Sequence, residues 1–346
     1  MKKIKLDQPK CVCIAVDQGN FNVKSFGPGT NTEPFPTGLN HHGDVPPPMT
    51  VGSMMVNGQY YSITNERLQT RRDKTTDEDY YVLTLAAIAN ELRAAFPGGT
   101  EYECNVALAL GLPVEHLSLR LDGGSLLREK YRTFFSNSGK PIHFMSDGVV
   151  FDIRIVDVGV YAQSISAAIS DGKVYEQMLK STRAYIIDIG GGTTNVISVI
   201  DRKPQNPGIT LEDMGVLELF KLAHRTILED CSRSIDDFMI DALMQEKKSC
   251  QPNIKDALER AKNEFVKKLI LELEARKVDL YMGYICMVGG GSVLLYDAFH
   301  RYVTKLGNSD IVIIPDVKAN ARGYYAQEMA RLAAAGTEVY RGTAKA

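Results

Sequence analysis

The chain has 346 residues, 44% hydrophobic and 24% charged, which is enough for a large core and more than one domain of ordinary size requires. A formal net charge of −2 argues against a broadly basic face for nucleic acid or anionic lipid, so any contact with DNA is expected to be indirect. Six cysteines without CxxC spacing, an N-terminus (MKKIKLDQPK) that lacks an apolar signal core, and no run of some eighteen apolar residues exclude a zinc knuckle, a secretory leader and a membrane span; a reducing, cytoplasmic setting fits best.

In chain order, CVCIAVD (residues 11–17) reads as a buried strand and FNVKSF as its hairpin partner. Six of the fourteen prolines then fall between Pro28 and Pro48, an irregular stretch in which His41 and His42 sit in a solvated loop. Asn57-Gly58 between alternating apolar residues predicts a two-residue hairpin, and residues 27–75 read as a small inserted subdomain. Thr75 with Glu78 predicts a capping box for a helix that carries Leu85, Ile88, Leu92 and Phe96 on one face and stops at Pro97. A strand at 104–112, a helix at 125–135, a hairpin about Asp147-Gly148 and a helix from about 160 to 171 complete the first half.

The second half opens on strands 184–190 and 194–200, with helices expected at 216–230 and 254–278. It continues through the strand YICMV, a helix from about 292 to 305, the strand IVIIP and a last helix from about 319 to 334. Strands and helices mixed in both halves indicate two α/β domains, at 1–180 and 181–318, with 319–346 returning to the first.

Three glycine turns carry the chemistry. AVDQGNFNVKSF and IIDIGGGTTNVISVI share one grammar: apolar strand, aspartate, glycine turn with hydroxyl or amide residues, second strand. MVGGGS (287–292) also follows an apolar strand but opens a helix, whose N-terminal amides suit phosphate or ribose oxygens. Glycine lets backbone N–H groups wrap an anion, Asp17 and Asp188 suit a hydrated Mg²⁺ held through its waters, and Lys24 suits a phosphate. Neither the GxxxxGK[ST] loop nor a GxGxxG turn opening a helix is present.

On these stretches the chain resembles the actin-like ATPase superfamily, AVDQGNFNVKS looking like its first phosphate loop, IIDIGGGTTNVISV its second and MVGGGSVLLYDAF its adenosine motif. VNGQYYSI, LALGLPV and ANARGYYA are most similar to the plasmid-segregation actins of the ParM type. The resemblance implies the actin-like fold: two domains with ribonuclease-H-like cores that take a Mg²⁺-bound nucleotide, ATP or GTP, in the cleft between them. It assigns Asp17, Gly19, Asn20, Asn22 and Lys24 to the first loop, and Asp188, Gly190, Gly191, Gly192, Thr193 and Thr194 to the second. Gly289, Gly290, Gly291 and Ser292 fall on the ribose or adenine side, and Arg260 or Lys262 flanks the base.

One position departs from the pattern. Where the family carries a water-orienting Glu or Gln, this chain runs IRIVDVGVYAQS, with Val158 in register, Asp157 one residue off and Gln163 a turn further on. Asp157 is favoured as catalytic together with Asp188, since a carboxylate at a strand end can accept the water's proton; capping the helix expected near residue 160 is its competing role.

The resemblance implies a nucleotide-driven polymer for plasmid DNA segregation, partnered by its own copies and a DNA-binding adaptor, with no membrane contact. The alternatives are a small-molecule kinase of sugar type or a non-polymerising nucleotide-binding scaffold on the same fold; the latter's relatives often carry an amphipathic end, which EVYRGTAKA is not.

Overall fold

The computed structural model describes residues 2–6, 10–28, 32–48, 52–68, 73–121, 124–205 and 207–340; positions 29–31, 49–51 and 69–72 of the expected insertion, and the last six residues of the tail, lie outside them. The chain divides into two units, Met1–Ser170 with Lys318–Ala346, and Asp171–Val317.

The first unit is built on one ten-stranded sheet. Its strands are β1 (Lys3–Lys5), β2 (Cys11–Gln18), β3 (Asn22–Phe26), β4 (Phe35–Pro36), β5 (Gly38–Gly43), β6 (Ser53–Val56), β7 (Gln59–Thr64), β8 (Glu101–Leu112), β9 (Ile142–Ser146) and β10 (Val149–Ala162). Helix α1 (Glu78–Ala95) precedes β8, α2 (Val114–Leu117) and α3 (Leu127–Phe135) follow it, and α4 (Ile165–Ile169) follows β10. The order is β4-β3-β2-β8-β10-β9-β6-β7-β5, with β1 pairing alongside β8 upstream of β2. Because β2, β8 and β10 run parallel, their C-terminal ends share one edge.

The segment 27–75 is woven into this sheet. β6 pairs antiparallel with β9, and both β6 and β5 pair with β7. Asn57 and Gly58 turn the β6–β7 hairpin with φ of 52° and 76°, both left-handed as a type I′ turn requires, and Asp147 and Gly148 do the same between β9 and β10. His41 and His42 lie on β5 rather than in a loop, bonded through Nε2 to Asp79 and Ser62 at 2.8 Å each.

Helix α1 is capped by Asp77, whose carboxylate accepts from the amides of Asp79 and Tyr80; Thr75 donates its hydroxyl to Asp73 instead of forming the expected box. The expected helix near 160 is also corrected. β10 continues to Ala162 in register with β8, α4 is one short turn, and Gly172 opens a further helix behind an Asp171 cap.

The second unit begins there, with α5 (Gly172–Lys180), and holds β11 (Arg183–Ile189), β12 (Thr193–Ile200), β13 (Lys203–Pro204), β14 (Ile209–Glu212), β15 (Tyr284–Val288) and β16 (Ile311–Ile313). Its order is β13-β12-β11-β15-β16, with β14 on β12 and with β11, β15 and β16 parallel. Helices α6 (Val216–Cys231), α7 (Asp237–Met244), α8 (Pro252–Ala275) and α9 (Gly290–Lys305) complete the unit.

The chain then returns to the first unit through α10 (Ala319–Ala334). Alternation along β2 explains how the sheet packs on both faces. Val12, Ile14 and Val16 join the core that includes Leu85, Ile88 and Leu92 of α1. Cys11, Cys13 and Ala15 face Leu332 and Tyr324 of α10, with Ala107 and Ala109 of β8 beside them. The second face is lined by small residues because α10 comes close: a Cβ on Gly111 would overlap the Tyr324 hydroxyl, and one on Gly323 would overlap the Ser166 carbonyl. The six cysteines are unpaired, and no described helix is long and apolar enough to cross a membrane.

Candidate functional site

Asp17 is the penultimate residue of β2 at the parallel edge of the first unit, 4% exposed, with Lys24 opposite it on β3; the Lys24 ammonium stands 3.4 Å from the Asp17 carboxylate. Between them the Gln18–Phe21 turn is tight: the Gly19 amide donates to the Asp17 carbonyl at 3.0 Å, and a Cβ on Gly19 would lie 2.6 Å from the Asn22 carbonyl oxygen. The turn is held from behind. Gln18 Nε2 donates to Thr84 Oγ1 and Tyr131 donates its hydroxyl to Gln18 Oε1, both at 2.7 Å. The Tyr80 hydroxyl donates to the Gly19 carbonyl at 3.2 Å and to Asn20 Oδ1 at 3.4 Å.

Lys74, which sequence reading passed over, donates to the Gln18 carbonyl at 2.5 Å with its ammonium 4.4 Å from the centre of the Tyr80 ring. Burial lowers the pKa of this lysine most; Asp17 raises it, Lys24 lowers it and Asp77 raises it, leaving it at about 7. No spacing rule announces Lys74, because the fold of α1 against the sheet is what carries it to the turn.

In the second unit the structure brings two glycine turns together. β11 and β12 pair from Arg183–Ile200 to Ile189–Thr194, and Gly190, Gly191 and Gly192 close the hairpin, the Gly190 amide donating to the Thr193 carbonyl at 2.9 Å. Asp188, 7% exposed, pairs with Val288 at the end of β15, which places Gly289 beside it. Gly289 has φ 90° and precedes α9, and a Cβ there would overlap Asp188 Oδ1. Gly291 packs as closely on Ile189. Glycine is thus required at 289 and 291, whether or not anything binds.

Two of the expected side-chain donors are engaged by the fold. Thr194 is fully buried and donates to the Met214 carbonyl, and Ser292 donates to the Val288 carbonyl. Arg260 bonds Asp230 and Lys262 bonds Glu259 at 3.1 Å, both within the helical layer.

Asp157 lies within β10, at a bulge where the register with β8 shifts between Ile155 and Asp157. It is level with Ala107 and Cys13, four residues short of Asp17, or about 13 Å along the strands. Its carboxylate takes the Arg331 guanidinium of α10, which also bonds the buried Glu328. No helix begins near residue 160 for Asp157 to cap. Gln163 instead follows the last strand residue, its backbone N–H donating to the Leu112 carbonyl at 2.9 Å. Next to it Ser164 is held at φ 65°, its amide donating to Asn320 Oδ1 at 2.9 Å. A non-glycine residue in that region is often found beside a functional group.

Two sheets, each with parallel strands that carry glycine turns at their C-terminal edges, and a last helix that returns to the first unit give the chain the actin-like fold. Its structure is similar to that of the apo psk41 ParM protein (18% identity, TM-score 0.65, covering 94% of this chain and 99% of that one). It is also similar to one protomer of a 15-stranded ParM filament from Clostridium botulinum (17%, 0.66, 93% and 99%) and to an archaeal actin homolog in complex with ADP (16%, 0.65, 92% and 99%). No family model matches the sequence, and no curated protein matches it.

Proposed function

We propose that this chain is a nucleotide-dependent, polymerising ATPase that forms dynamic cytoskeletal filaments in the cytoplasm and serves plasmid DNA segregation. The observation that carries the reading is the meeting of Gly190–Gly192 and Gly289–Gly291 beside buried Asp188, matched in the other unit by the Asp17–Lys24 hairpin. Similarity to a ParM filament and to an actin homolog with bound ADP supports the same reading.

Asp17, Gly19, Asn20, Asn22 and Lys24 serve the phosphates from one unit, and Asp188 with Gly190, Gly191, Gly192 and Thr193 from the other. Gly289, Gly290 and Gly291 serve the ribose or adenine. The donor set suits Mg²⁺: Asp17 and Asp188 are buried carboxylates, hard oxygen donors of the kind that ion takes. Asp17 and Asp188 would hold such an ion through water, and it would neutralise charge on the phosphate oxygens. Gln163, at the strand edge that Asp157 does not reach, orients the attacking water with its amide. The partners are further copies of the chain and a DNA-binding adaptor protein.

The test is light scattering with parallel phosphate release after adding Mg-ATP, Mg-GTP or a non-hydrolysable analogue. Scattering should rise with triphosphate and analogue and fall as phosphate is released. Flat scattering well into the micromolar range removes the filament reading, and phosphate transfer only to an added sugar would make the chain a kinase. Gln163→Ala should slow phosphate release about a hundredfold with assembly intact, whereas Asp157→Asn should leave release within about twofold. The reverse pattern would return the role to Asp157.

A further inference from the structure

Two lysines meet at the first turn. Lys24 and Lys74 both flank Asp17, and Asp17 already stands 3.4 Å from Lys24. Asp77 also attracts Lys74 through space, while its carboxylate accepts the amides that cap α1. Among the described residues Lys74 has no carboxylate within ion-pair distance; its contacts are one carbonyl and one aromatic face. An ammonium has three donors, so this one retains capacity beyond the single carbonyl it meets.

A purely mechanical task does not account for a cation here. The Gly19 carbonyl is held by the neutral Tyr80 hydroxyl, and the Gln18 side chain is fixed at both ends by Thr84 and Tyr131. A second neutral donor would pin the Gln18 carbonyl without the desolvation penalty that a partly buried ammonium carries. What a cation adds beside a glycine turn is attraction for an anion.

We infer that Lys74 is a phosphate-binding residue, resting on the Gln18 carbonyl until the phosphoanhydride chain of a nucleotide supplies an anionic contact. This rests on the nucleotide-binding reading above and adds to it a residue outside all three glycine motifs. Lys24 and Lys74 would then grip the phosphates from the two sides of the turn, one from β3 and one from the segment that leads into α1.

Titration calorimetry on the full chain tests this with a non-hydrolysable Mg-ATP analogue, Mg-ADP and adenosine. Lys74→Met should weaken both phosphate-bearing ligands tenfold or more and leave adenosine within twofold; Lys74→Arg should recover most of the loss. Lys74→Gln, which keeps a donor for the carbonyl but not the charge, should behave as Lys74→Met does, and it supplies the comparison if Lys74→Met fails to fold. Wild-type affinity for the analogue in Lys74→Gln, or an equal loss for adenosine, overturns the inference while the nucleotide reading stands. Failure of the wild-type chain to bind any of the three overturns both.

Discussion

Asp188→Asn is expected to lower phosphate release at least a hundredfold while the melting temperature stays within a few degrees. Asparagine has the same shape, so the fit against Gly289 and the β11–β15 pairing survive. The change removes one negative charge at a site 7% exposed, where little water is present to replace it. A hundredfold corresponds to about 2.7 kcal/mol in the barrier, within what one well-placed charge beside a metal-bound phosphate contributes. Single-turnover phosphate release with Mg-ATP measures it, and release within threefold of wild type would remove Asp188 from the catalytic set.

The second large effect concerns stability. Gly323→Ala should destabilise the protein by about 3 kcal/mol, read as a lower urea midpoint with unchanged slope. Helix propensity alone gives the opposite sign, since alanine is favoured over glycine by about 1 kcal/mol inside a helix. Packing decides the outcome, because the new Cβ would be driven into the Ser166 carbonyl of α4 and α10 would have to lift away from the sheet. A raised midpoint would show that α10 does not pack as described.

Much of the fold was legible because its signals are local. The pairs Asn57-Gly58 and Asp147-Gly148 each announce a turn whose two residues require φ > 0, and both hairpins formed at the expected residues. The strand–turn–strand stretches at Asp17 and Asp188 were readable for the same reason. What escaped depends on distant partners. The alternation of Ile153 and Ile155 changes phase at the bulge to Val156, Val158 and Val160, which hid the strand's continuation and let a helix be expected from about residue 160; β8 extends the strand to Ala162, and this extension separates Asp157 from the edge that Gln163 reaches. The hydroxyls of Thr194 and Ser292 looked available until the Met214 and Val288 carbonyls were seen to take them. Lys74 lies 57 positions beyond Asp17 and was invisible as a neighbour until α1 brought it there.

The course of the chain through the two units bears on how the molecule is made. The second unit is one unbroken stretch, Asp171–Val317, whereas the first receives α10 only after that stretch has been synthesised. Until then Cys11, Cys13, Ala107 and Gly111 present a bare sheet face, and β2 lacks the Cys11–Glu338 and Tyr340–Cys11 backbone bonds. At ribosomal speeds of about 5–20 residues per second, that face waits on the order of ten seconds for its cover. The usual N-terminal-first order of maturation is therefore inverted: the later-made unit can close first, and the earlier one is finished last.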